Sequence, residues 1–147
     1  MKCNFIKLNI FAESLKTQNP ITMNLRCYVV DDEMHGIINI TNLIQQTEGV
    51  EFVGSATKPL IALNEILHLK PDVVFTDYNM SEMDGVTLAG HIDDFAQVVI
   101  ISGQPQDWIK GADWSKYIYR MRGVDFREFQ SIIMEVEKRM ESRKVKM

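Results

Sequence analysis

From Leu25 onward, short apolar runs alternate with stretches in which apolar residues recur every three or four positions. The runs are Leu25 to Val30, Glu51 to Ala56, Val73 to Thr76, Val98 to Ile101 and Tyr117 to Arg120. Several are nearly continuous in Val, Ile and Phe, as strands buried on both faces are, so they predict a parallel sheet. Between them, Ile37, Ile40 and Ile44 fall at helical spacing, as do Leu60, Leu63 and Leu67, and each set predicts a helix laying one face on the sheet. Pro59 suits the first turn of a helix, and Pro71 ends that helix before the third strand. The last helix has the clearest local signals: Asp125 as N-cap, Glu128 three residues on, then Phe126, Phe129, Ile133, Val136 and Met140 along one stripe. Five strands and five helices in alternation predict an α/β fold, a doubly wound five-stranded parallel sheet. Ligands of such sheets bind at the carboxyl ends of the strands. Between Ser102 and Arg120, Gly103, Pro105 and Gly111 interrupt helical continuity, so the fourth helix is expected to be short or distorted.

The ends of the chain do not share this pattern. Residues 1–23 suggest a loosely attached extension closed by the Asn19-Pro20 turn signal, residues 24–140 one domain, and residues 141–147 a basic tail whose charge suits the solvated end of a helix. A length of 147 residues supports one core of ordinary size. The net charge is −4, and Lys2, Lys7 and Lys16 at one end with Lys138, Arg139, Arg143, Lys144 and Lys146 at the other leave the body more acidic still. An acidic body repels phosphate backbones, which disfavours nucleic acid as a direct partner. No apolar run approaches the roughly 18 residues of a membrane span. Cys3 and Cys27 are too few for a disulfide framework, so a reduced, cytoplasmic setting is expected.

The residues at the strand ends carry the chemistry. The first strand runs into Asp31-Asp32-Glu33 and the third ends at Thr76-Asp77. In a doubly wound sheet these strand ends are neighbours, and converging carboxylates raise one another's pKa unless a cation joins them. A hard divalent ion with oxygen ligands, Mg²⁺, fits that need at Asp31, Asp32 and Asp77.

Three segments together, Val29-Val30-Asp31-Asp32-Glu33, Val73-Val74-Phe75-Thr76-Asp77-Tyr78-Asn79-Met80 and Asp84-Gly85, resemble the receiver domains of response regulators in two-component signalling. The likeness spans roughly residues 24–140, and its flavour is similar to receivers that precede LytTR-type DNA-binding domains, without such a domain in this chain. It implies a flavodoxin-like fold and a stand-alone signalling module, not an enzyme. That module takes a phosphoryl group on Asp77 from a histidine kinase or phosphotransfer protein and passes the change to a downstream protein partner; pairing of two copies is left open. By the same resemblance, Asp32 ligates Mg²⁺ directly and Asp31 directly or through water. Asn79 lends its backbone carbonyl to the ion, Ser102 is the hydroxyl that turns towards the phosphoryl group, and Tyr117 is the aromatic that follows it inward.

Two departures accompany the likeness. Ser81 stands where a proline usually follows Met80, and Arg120, three residues beyond Tyr117, stands where receivers place a lysine. Arginine keeps the charge but forks it over a plane, so the exchange is not conservative. Two other readings compete: a degenerate receiver that binds a partner without phosphorylation, and a phosphatase of the haloacid dehalogenase type. The second needs another Asp two residues after the nucleophile, where this chain has Asn79.

Overall fold

Five parallel strands, β1 (Leu25–Val30), β2 (Val50–Ala56), β3 (Val73–Asp77), β4 (Gln97–Ser102) and β5 (Ile118–Met121), pair in the order β2-β1-β3-β4-β5. The computed structural model describes residues 24–146, and the expected extension over residues 1–23 lies outside them. Four α-helices form the crossovers and the close: α1 (Met34–Gln45), α2 (Pro59–Leu69), α3 (Gly85–Ile92) and α4 (Phe126–Lys146). Strand order reverses between β1 and β3, so a crevice opens above their carboxyl ends.

Alternation along each strand divides the core into two layers. Leu25, Cys27 and Val29 of β1 and Val73 and Phe75 of β3 point to the side covered by α1 and α4, where Ile37, Ile40, Ile44, Phe129, Ile132, Ile133 and Val136 are buried. Tyr28, Val30 and Val74 point to the other side, against Ala62 and Ile66 of α2 and Leu88, Ala89 and Ile92 of α3. Cys27 is fully enclosed, and burial pushes its thiol up to about 12, which makes it an inert core residue. Phe129 stacks on Phe75 with ring centroids 5.4 Å apart at the centre of the first layer. Phe129→Ala is therefore expected to cost about 3–5 kcal/mol, read as a drop in the denaturant midpoint with little change in slope.

Side-chain caps start two of the helices, the one at Asp125 as expected. Asp125 accepts from the Glu128 amide at 2.8 Å, and Asp84 caps α3 by accepting from the Thr87 amide at 2.7 Å. Three expectations need correction. In α2 the buried positions are Pro59, Ala62 and Ile66, while Leu60 and Leu67 face outward; both sets have helical spacing on an apolar helix, so periodicity could not choose between them. Phe126 stands exposed at the mouth of α4 instead of joining the buried stripe. The basic residues after 140 continue α4 as far as Lys146, the solvated helix end that their charge suits. The fourth of the five expected helices, foreseen as short or distorted, is reduced further: between β4 and β5 the described chain forms only a 3-10 turn, Gln106–Trp108, before Gly111 turns back with φ +79. Buried Tyr117, with half-buried Trp114, packs on the second layer of the core in its place.

Candidate functional site

Asp31 directly follows β1 and Asp77 ends β3, each on the side of its strand that faces α1 and α4. Carboxylate oxygens of Asp31, Asp32 and Asp77 lie within 4.8 Å of one another. Asp31 and Asp77 are buried and Asp32 is exposed. Local backbone geometry makes the convergence possible: the Glu33 amide donates to Asp31 Oδ1 at 2.9 Å, and the Tyr78 amide to Asp77 Oδ1 at 2.8 Å.

The space is made by two glycines. A Cβ on Gly36, in the first turn of α1, would meet Asp31 Oδ2 at 2.0 Å, and one on Gly85 would meet the Asp77 carbonyl oxygen at 2.2 Å. Gly36→Ala should thus push the Asp31 carboxylate aside. A helical Gly→Ala change ordinarily gains about 1 kcal/mol, but here the clash with Asp31 should reverse the sign, read as a lower denaturant midpoint.

Burial raises the pKa of Asp31, and the charges of Asp77 and Asp32 add to the effect against the Glu33 amide and a nearby cation. Burial likewise raises that of Asp77, opposed by the same cation and the Tyr78 amide. The cation is Arg122. Its Nη2 lies 2.9 Å from Asp77 Oδ2 and 3.7 Å from Asp31 Oδ2, and its Nη1 lies 3.5 Å from Glu33 Oε2. Burial works against its charge, but the facing carboxylates prevail and hold the guanidinium charged. Asp31, Asp77 and Arg122 line a cleft of about 310 Å³ between α1 and the loop that follows β5, floored by Thr76 and Ile101 and edged by His35, Asn39 and Val124.

Arg120, the cation expected here, is elsewhere. It is level with Asp77 across the sheet, Asp77 pairing with Ile101 and Ile101 with Arg120, but β4 intervenes and sets it about 10 Å away. Its guanidinium turns to α4, 3.2 Å from Glu135 and 3.7 Å from Glu128, carboxylates nearer than Asp77. Arg122 lies just past the strand, its amide donating to the Ser102 carbonyl at 2.8 Å, and reaches over the sheet end.

The same two-residue shift applies to the aromatic. Tyr117 is buried on the α2 and α3 side, where its hydroxyl donates to Asp93 at 2.7 Å, remote from the strand ends. Tyr119, three residues before Arg122, donates to the Gln104 carbonyl and meets Trp114 edge-on with centroids 5.7 Å apart. Ser102 is where it was expected, buried at the end of β4, with Oγ accepting from the Gln104 amide at 3.0 Å. Gln104 thus connects Ser102 to Tyr119, not to Tyr117. Asn79 is exposed in the loop after β3, where Glu82 adopts φ 74 and Ser81 is exposed. His35 stands open to solvent, 3.0 Å from Glu33.

The family model described as the response regulator receiver domain matches residues 27–113, more than half of the chain. The chain belongs to that family. Among curated relatives of the receiver, an uncharacterized response regulatory protein of Vibrio parahaemolyticus is 33% identical over 103 residues, 69% of this chain and 43% of its own length. One from Vibrio vulnificus is 28% identical over 78% of this chain and 48% of its own. A protein-glutamate methylesterase/protein-glutamine glutaminase of Xanthomonas oryzae is 33% identical over 69% of this chain but only 28% of its own length. The receiver thus spans less than half the length of these relatives. Solved structures of similar fold include the receiver domain of the putative response regulator NarL from Mycobacterium tuberculosis, at TM-score 0.70 and 22% identity over 79% of this chain and 98% of that one. A receiver domain protein from Clostridium thermocellum has the same score at 23% identity, covering 84% and 99%. A CheX–CheY complex from Borrelia burgdorferi with BeF3 and Mg²⁺ scores 0.65 at 22% identity, covering 78% and 90%. The family match stops before β5 and so does not reach Tyr119 or Arg122. No described helix is long and apolar enough to cross a membrane.

Proposed function

We propose that the receiver works as a phosphorylation switch in which Asp77 is the acceptor and a phosphohistidine of a kinase or phosphotransfer protein the donor. The observation that carries this reading is the convergence of Asp31, Asp32 and Asp77 within 4.8 Å at the β1 and β3 ends, with a guanidinium 2.9 Å from Asp77. A donor set of carboxylate oxygens alone, two of them held up in pKa by burial, fits a hard divalent ion. Asp31, Asp32 and Asp77, with the Asn79 carbonyl, would hold Mg²⁺, which supplies positive charge beside the incoming phosphoryl oxygens.

The remaining work belongs to the chain. An Asp77 oxygen attacks phosphorus; the new O–P bond forms as the P–N bond to the donor histidine breaks, and the imidazole nitrogen keeps the bonding pair. Arg122 is placed to take a phosphoryl oxygen as Asp77 gives up its own charge, so charge is redistributed around a fixed cation. Ser102 would leave the Gln104 amide to donate to the phosphoryl group, and the freed Gln104 would release Tyr119. The 103–116 segment and β5 would then present a changed face to a downstream protein. The BeF3 and Mg²⁺ complex of the similar Borrelia protein supports the reading.

Incubation with Mg²⁺ and a small acyl phosphate, or with a phosphorylated histidine donor, should add the mass of one phosphoryl group, and hydroxylamine should remove it. A chain left unmodified by both donors would instead be a phosphorylation-independent binding module, the reading that the arginine in the pocket would then favour.

A further inference from the structure

Arg122 reaches the pocket from beyond the end of β5, on a long stem followed by Gly123 at φ +100. Such a side chain has several rotatable bonds and no helix or strand to direct it, so aiming it carries an entropic cost. Of the three carboxylates around its guanidinium, Asp77 and Asp31 face one amino group, and only Glu33 faces the other. Glu33 is itself well placed. It starts α1, its carbonyl accepts from the Gly36 and Ile37 amides, and its amide is bonded to Asp31. Its side chain lies outside the pocket, 55% exposed, where it also meets His35.

We propose that Glu33 is a positioning residue for phosphoryl transfer: by holding Nη1 of Arg122 it aims Nη2 at Asp77 and keeps it there as the phosphoryl group enters. This rests on the reading of Asp77 as acceptor. The device depends on a planar cation with two separate amino groups, because the single nitrogen of a lysine at this position could not serve Glu33 and Asp77 from opposite ends. As a half-exposed ion pair, Glu33 with Arg122 contributes little to stability. Its effect lies in orientation, where a small misplacement changes rates strongly.

Four proteins test it: the wild type, Glu33→Gln, Arg122→Lys and the double variant, each phosphorylated with a small acyl phosphate and followed by intact mass. Glu33→Gln is expected to slow the wild type about tenfold, and to change the Arg122→Lys protein by less than about twofold, because the pair couples through the fork. An equal slowing in both backgrounds, or none in the wild type, overturns the proposal. A second readout does not need phosphorylation. In ¹⁵N NMR of the unliganded protein, the Arg122 Nε–Hε group should be ordered in the wild type and become mobile on the nanosecond scale in Glu33→Gln. Unchanged order in that variant also overturns the proposal. If none of the four proteins is modified, the phosphorylation reading fails, and the NMR comparison alone decides whether Glu33 orients Arg122.

Discussion

Asp77→Asn is expected to abolish the gain of one phosphoryl mass, from small donors and from a phosphorylated histidine alike. An amide has no anionic oxygen to attack phosphorus, and no other described carboxylate has the same combination of burial, a strand end and a guanidinium at 2.9 Å. Asp31, its closest rival, lies farther from Arg122, at 3.7 Å. Asp72 provides the control: at the other end of β3, its Oδ2 accepts from the Arg26 amide at 2.8 Å, so Asp72→Asn should still be phosphorylated. Residual labelling of Asp77→Asn at the wild-type level, mapped by peptide mass to Asp31 or Asp32, would move the acceptor to β1.

The second large effect separates two arginines that lie two residues apart. Arg122→Ala should slow phosphorylation by about 100-fold, as loss of one donor aimed at developing charge does, with the fold retained in circular dichroism. Arg120→Ala should leave the rate within about twofold. It should cost about 0–1 kcal/mol, since it removes only partly exposed ion pairs to Glu128 and Glu135. If Arg120 proved the sensitive position, the pocket of the phosphorylated protein would have to be built differently from the geometry described here.

Much of this was legible before any coordinates. The alternation of apolar runs with helical spacing dictated a parallel sheet with crossovers, because strands covered on both faces must be apolar throughout. Once β1 and β3 are neighbours, Asp31, Asp32 and Asp77 have nowhere to go but the same crevice, and the N-cap at Asp125 needed only Glu128 three residues on to be recognised. Ser102 could be placed because it closes an unambiguous run.

Tertiary structure alone decided the rest. Strand pattern repeats every two residues, so sliding the reading of β5 from Tyr117 and Arg120 to Tyr119 and Arg122 leaves every side chain on its own face and the aromatic-to-cation spacing at three. Local pattern is blind to such a slip. What breaks the tie is the position of α4, whose Glu128 and Glu135 capture Arg120, and the β4–β5 register, which sets Arg122 past the strand end and above the pocket. The outward turn of Leu60 and Leu67 has the same origin, since a helix apolar on more than one face is oriented only by what it packs against. Chain-local signals determine which residues can form an element and which carboxylates can meet; the neighbours of each side chain, known only in three dimensions, determine which arginine joins them.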